Sequence, residues 1–459
     1  MVKRSALLGI VLALVVSLLA LVAMPISAQD ATAVPTLAPT NPPPTDIPAI
    51  DLGTGGTHIS FWNGLTGSDG STMSDLLAGF VKDHPEISVT MQEIPWDTMY
   101  AKLQAAFVSG TPPDVVIMHS AQIPQFASYG VLMDLGSWYK DKGGFFPGDD
   151  ISKITRDGMD YQGVTYGIPL DNHGRGLWIN KGAFKKAGVD VNMTPPTNYA
   201  DWVALFQKLT LDKNGKNAAD PAFDPTNVVQ WGFSVEEWAR VNFIANLVQN
   251  GGSWISADGK TITINSDAGV AALQQEIDLV SKYHVASAPG GFNSWQAYGV
   301  GALAILPTGT WFRNQAALDT DIDSTVWPNV QFGDTKATYM GIHTFMVPAT
   351  EAGTQLDAVK TMVEWVSDNQ KGWAASGQVP ARLSVQASLD PVNYPSNIII
   401  GKSMAEYGVL DWSTPALGEM FTAIDPELSS ALNGQETAKQ ALDNAAQRMQ
   451  QALDRAAAG

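Results

Sequence analysis

From residue 58 onward, apolar positions along the chain switch between two periods, and the switching predicts alternating strands and helices. Residues 59–62 read as a strand, after which Met73, Leu76, Leu77, Phe80 and Val81 fall on one face of a helix. Residues 87–91 predict a second strand, residues 99–108 a second helix ended by Gly110, and residues 114–118 a third strand entered through Pro112 and Pro113. This βαβαβ order implies a doubly wound α/β sheet, which presents its ligand site beyond the carboxyl ends of the strands. Those ends carry Trp62, Asn63 and Gly64, then residues 93–96, then His119 and Ser120.

The pattern changes at residues 166–170, a short apolar run holding Pro169, which has no backbone donor and suits a strand leaving its sheet. Asp171, Asn172, His173 and Arg175 follow among glycines as a polar corner, before residues 177–179 resume a strand and Asn180-Lys181 open a helix that closes at Gly188. Pro195 and Pro196 bar further helix, and Asn198 is placed to cap the next one, with Trp202, Leu205, Phe206 and Leu209 at helical spacing. Polar groups at such a crossing are expected to line a cleft. A second lobe is then expected from residues 231–234, 241–248 and 261–265 and from the face formed by Val270, Leu273, Ile277 and Val280. Residues 301–306 read as a strand running into Pro307-Thr308-Gly309-Thr310-Trp311, and residues 341–345 as another crossing. The helices at 358–366 and 437–453 are expected to pack on the second lobe, the last through Ala438, Ala441, Leu442, Ala445, Met449 and Leu453.

The order Gly167-Ile168-Pro169, a strand ending in Asn180-Lys181, Pro195-Pro196 and a Trp202-bearing helix resembles the extracellular solute-binding proteins of ABC transporters. The likeness is to their family 1, the maltose- and oligosaccharide-binding group, and runs from Ile59 to the C-terminal helix. It implies the two-lobed periplasmic-binding-protein fold, two doubly wound α/β domains joined by a multi-strand hinge. Residues 57–168 and 309–342 would form the first lobe, and residues 169–308 and 343–459 the second. The function implied is that of a monomeric receptor, without cofactor or catalysis, that captures a saccharide by hinge closure and delivers it to an ABC permease.

Composition narrows this picture. With 459 residues, 45% hydrophobic and 16% charged, the chain has material for two lobes and is too apolar for disorder. Its formal net charge of -18 repels polyanions, which disfavours nucleic acid and phosphorylated ligands. The absence of cysteine excludes disulfides and thiolate metal sites, and also the lipid-bearing cysteine that many members of the resembled family carry. Residues 1–28 combine Lys3 and Arg4, an apolar run over 7–23, Pro25 and a small-residue cleavage site after Ala28. They read as an export signal, or as an N-terminal membrane anchor if retained, because the run approaches the length of a membrane helix. Residues 29–56 are rich in Pro and Thr and read as an extended spacer. The expected destination is the periplasm or the cell exterior, with membrane contact only through that N-terminal segment.

Tryptophan is the outstanding chemical signal, 14 residues against 16 Phe and 11 Tyr. A sugar ring offers an apolar C–H face and a fringe of hydroxyls, so it suits an indole platform flanked by amides and carboxylates. Trp62, Trp96, Trp311 and Trp412 fall at expected cleft edges, whereas Trp202 and Trp365 lie on helical stripes and belong in the core. The resemblance implies that Trp311 stacks on ligand and that Trp238 supplies a second ring. The polar candidates are Asn63, Asp69, His119, Asp171, His173 and Arg382, with His343 as a further contact. Their plainer alternatives are turn capping for Asp69, satisfied buried imidazoles for the histidines, and surface pairing for Arg382. Glycoside hydrolysis is the rival chemistry, since it needs two carboxylates across a sugar, but no pair is singled out and no nucleophile, zinc or phosphate motif is present. Asp319, Asp321 and Asp323 mimic the start of a calcium loop, yet Ser324 and Val330 stand where Gly and Glu are needed, so no metal is expected. The alternative function is the same fold binding a polyol, a peptide or a cation.

Overall fold

The computed structural model describes residues 48–318 and 321–458. The expected export signal, residues 1–28, and most of the expected spacer lie outside the described residues. The first lobe opens with β1 (Ala49–Leu52), β2 (Thr57–Asn63), α1 (Ser68–Asp83), β3 (Ile87–Glu93), α2 (Trp96–Ser109) and β4 (Val115–His119). β2 lies between β3 and β4 and runs parallel to both, as the βαβαβ pattern predicts. α1 buries Met73, Leu77 and Phe80, and α2 ends at Gly110, whose φ of 73° is the left-handed conformation that glycine adopts without a Cβ clash. β1 corrects the reading of residues 29–56 as spacer throughout. Past Pro48 the chain can donate again, and it pairs antiparallel with β3 while Ile50 and Leu52 pack on the first-lobe core.

The other strands of the same ten-stranded sheet are β5 (Ile168–Asn180), β6 (Ile305–Gly309), β7 (Ser324–Pro328), β8 (Thr338–Met346), β9 (Val379–Pro380) and β10 (Gly408–Leu410). β5 corrects the expected polar corner: its 13 residues form one strand, buried throughout. Its first half pairs antiparallel with β8 and β9, and its second half with β6 and β7. Pro169 sits at a register shift opposite Thr344, where a bulge accommodates the missing donor without breaking the strand. Since β8 also pairs with β4, a sheet in the order β1-β3-β2-β4-β8-β5-β6 runs through both lobes.

Around the second half of β5 pack α3 (Tyr199–Leu209), α4 (Ala239–Gln249) and α5 (Asp267–Ser281). Asn198 caps α3 as expected, its Oδ1 accepting the Asp201 N–H at 3.0 Å. α6 (Gly353–Asp368) departs from expectation, because Ala358, Val359, Met362, Val363 and Val366 join Ile59 and Phe61 in the first-lobe core. Conversely, Trp327, Phe332 and Tyr339 belong to the second-lobe core. The chain therefore returns to the first lobe along β8, not at residue 309. The reason is pairing: β6 and β7 both take their backbone partners from the second half of β5. α7 (Leu417–Leu432) and α8 (Ala438–Ala458) close the second lobe, α8 through the predicted stripe from Ala438 to Met449, with Leu453 partly buried. Among the described residues no helix is long and apolar enough to cross a membrane.

Candidate functional site

A cavity of about 340 Å³ opens where both lobes meet the crossing strands. Its floor comes from β4, β5 and β8, which bring His119, His173 and His343 together; His343 stands opposite His119 in one ladder and opposite Asp171 in the other. Asp171 lies beneath them, fully buried. Its Oδ1 accepts from His173 Nδ1 at 3.3 Å, and its Oδ2 from His343 Nδ1 at 3.0 Å and from the Trp373 indole N–H at 2.7 Å. Burial alone would raise the Asp171 pKa, but His343 and His173 more than offset it and hold the carboxyl well below its usual range. Burial pushes His173 down to about 4 and takes His119 well below its ordinary value, so both rings are neutral at neutral pH. His119 Nδ1 lies 2.6 Å from the Tyr100 hydroxyl.

The first-lobe wall is the turn leading into α1, together with Trp96. Asp69 Oδ1 accepts the backbone N–H groups of Gly67 and Gly70, and its Oδ2 accepts from Gln378 Nε2 at 3.3 Å. Burial raises the Asp69 pKa. Trp96 stacks on His343, centroids 5.3 Å apart and planes 10° from parallel. The second-lobe wall carries three more tryptophans, Trp238, Trp295 and Trp311. The Trp311 indole N–H reaches Glu237 Oε1 at 3.4 Å, while Arg175 donates to the Glu237 carbonyl at 2.7 Å and faces its Oε2 at 3.4 Å from behind the wall. Burial raises the Glu237 pKa against the pull of Arg175. Trp238 precedes α4 with φ 54°, a strained conformation for a bulky side chain, and is 51% exposed beside Trp311.

Of the residues expected from sequence, Asp69, Trp96, His119, His173, Trp238, Trp311 and His343 line this cavity. Asp171 supports it from below. Asn63 is buried behind the wall, its Oδ1 accepting the Leu65 N–H at 3.0 Å, so it fixes the turn rather than facing the cavity. Three candidates are corrected. Trp62 lies on the side of β2 where Lys102 caps its ring at 4.1 Å. Arg382 pairs with Asp150 at 2.9 Å and Asp368 at 3.3 Å. Trp412 is buried in the second-lobe core, stacked on Trp254 at 5.6 Å. Sequence reasoning did not single out Glu237, Trp295, Gln315, Tyr339 or Gln378. Only Glu237 had a local signal, its place beside Trp238.

Residues 63–372 match the family described as bacterial extracellular solute-binding protein. The sn-glycerol-3-phosphate-binding periplasmic protein UgpB of Brucella abortus is 25% identical over 49% of this chain and 50% of its own. The galactooligosaccharide-binding protein of Bacillus subtilis is 22% identical over 85% of this chain and 88% of its own. The chain spans only about a third to a half of the length of the first curated relatives it matches. Among solved structures, the ABC substrate-binding protein Lmo0181 of Listeria monocytogenes, in complex with cycloalternan, has the same two-lobed fold. It has a TM-score of 0.73 and 24% identity, and the match covers 86% of this chain and 99% of that one. The family match spans most of the chain, from the end of β2 to just beyond α6, and the chain belongs to the family of bacterial extracellular solute-binding proteins.

Proposed function

We propose that this chain captures a neutral saccharide in the cavity between its lobes and delivers it to an ABC permease. The observation that carries this reading is the cavity lining: Trp96, Trp238, Trp295 and Trp311 surround Asp69, Glu237, Gln315 and Gln378. Indole faces suit the C–H face of a sugar, and carboxylates and amides suit its hydroxyls. Among the described residues no lysine or arginine lines the cavity, which argues against a phosphorylated ligand even though one relative carries glycerol phosphate in its name. Contacts from both lobes to one ligand exist together only when the lobes approach, so binding would favour closure. The chain acts as an exported monomer and catalyses no reaction; retention at the membrane would require the N-terminal segment to remain attached.

Calorimetric titration with mono- and oligosaccharides, beside sugar phosphates, polyols, peptides and polyamines, tests the reading. Saturable binding of one neutral sugar class without turnover is expected. Trp311→Ala should weaken it by about 30-fold, on the order of 2 kcal/mol. Unchanged affinity would remove Trp311 from the site. Asp69 and Glu237 among aromatic rings favour a second reading, a cationic solute, which binding of a polyamine and no sugar would establish.

A further inference from the structure

Three of the chain's six histidines meet on the cavity floor, and one ligand nitrogen from each of His119, His173 and His343 lies within 4.8 Å of the other two. In every ring Nδ1 is already engaged, by Asp171 for His173 and His343 and by the Tyr100 hydroxyl for His119. The carboxylate can only accept, so His173 and His343 each carry a proton on Nδ1, and a neutral ring held this way presents Nε2 as a lone pair. His173 Nε2 is buried without a hydrogen-bond partner. A single carboxylate fixing the tautomer of two imidazoles is the arrangement that orients histidines for a metal and raises the basicity of the other nitrogen.

We infer that His119, His173 and His343 hold one divalent transition-metal ion of the Zn²⁺ class through Nε2, with the fourth coordination position turned to the cavity. Imidazole donors select Zn²⁺, Ni²⁺ or Cu²⁺ over Mg²⁺ or Ca²⁺, and three protein ligands leave one position for water or for a ligand hydroxyl. Zn–N bonds of about 2.0–2.1 Å require the three nitrogens to draw together, to roughly 3.4 Å in a tetrahedral site. Gly341 faces His173 across the ladder, where a Cβ would stand 2.1 Å from Nε2, so the missing side chain keeps that nitrogen clear. This site goes beyond the saccharide reading and does not depend on it.

The test is calorimetric titration of the chelator-stripped protein with ZnCl₂, with no saccharide present. A single saturable ion per chain is expected, weakened about tenfold or more by His119→Gln and by His343→Gln. The combined His58→Gln, His84→Gln and His284→Gln variant should keep it, because those three residues lie outside the cluster. A fluorescence readout accompanies it because Trp96 stacks on His343: Cu²⁺ should quench tryptophan fluorescence in the parent, and His343→Gln should need about tenfold more Cu²⁺ for the same quenching. No stoichiometric site, or a loss that follows the three outlying histidines, would overturn the proposal as adventitious surface chelation. Cu²⁺ quenching unchanged in His343→Gln would overturn it as well.

Discussion

On the cavity floor Asp171 accepts hydrogen bonds from His173, His343 and Trp373, whereas in the second-lobe interior Glu276 has one long contact, from Asn246 Nδ2 at 3.4 Å. The Glu276 Oε2 atom has no partner. Both carboxyls are enclosed by the fold, yet Asp171 is held ionised while burial pushes Glu276 up to about 8. Enclosure therefore does not decide charge; the donors that meet the carboxylate do. The floor is a place where the fold meets every demand of a buried ion, and the lobe interior is a place where it leaves one unmet.

The largest expected effect comes from removing the unmet demand. Below pH 4.5 Glu276 is protonated in the folded and unfolded chain alike, so its burial is without pH-dependent cost. Between 4.5 and about 8 the folded chain keeps a proton that the unfolded chain has released, so stability falls as pH rises, and above about 8 the loss is complete. Glu276→Gln is neutral at every pH. It should match the parent at pH 4 and exceed it at pH 9 by up to roughly 5 kcal/mol in urea unfolding. Equal stability at both pH values would mean that Glu276 is ionised in the folded chain and the contrast with Asp171 does not exist.

The converse change breaks the floor. Asp171→Asn replaces an acceptor-only group by an amide whose NH₂ faces donors, so at least one of the His173, His343 and Trp373 N–H groups loses its partner. Losing charge-assisted bonds in a buried network is expected to cost about 3 kcal/mol, read as a lower urea midpoint. A midpoint equal to the parent's would show that the imidazoles do not donate to this carboxyl.

This contrast also marks what the sequence makes legible. β2, α1, β3, α2 and β4 follow from local patterning, because their apolar runs and the turn residues that bound them are contiguous in the chain. β5 does not, since Asp171, His173 and Arg175 interrupt the apolar run and read as a corner. Their partners His343, Trp373 and Glu237 lie 172, 202 and 62 residues away, and no local pattern announces them. The same holds for the cavity. Trp96 and His119 follow from the rule for strand ends and Asp69 from its glycine-flanked turn, whereas Trp295, Tyr339 and Gln378 arrive from elements whose place only the tertiary fold determines. Trp412 failed for the opposite reason: a tryptophan in a connection resembles a cleft residue until the lobe core closes over it.

Trp238 supplies the smallest effect and joins the two halves of the comparison, because it is a cost carried at the cavity and not in the interior. Its φ of 54° forces the left-handed region on an aromatic residue, a conformation worth about 1–2 kcal/mol to an L side chain and nothing to glycine. Half exposed, the ring returns little hydrophobic stabilisation for that strain in the unliganded chain. Trp238→Gly should therefore leave stability unchanged or raise it by about 1 kcal/mol, the glycine's greater unfolded freedom offsetting part of the relief. Saccharide affinity should fall in the same variant, because the ring lies 6.4 Å from Trp311 and extends its platform. A variant that is more stable and binds less well would identify the strain as serving the cavity. If stability falls instead, Trp238 packs into the lobe and its strained backbone is a by-product of that packing, as unrelated to ligand as the orphaned oxygen of Glu276.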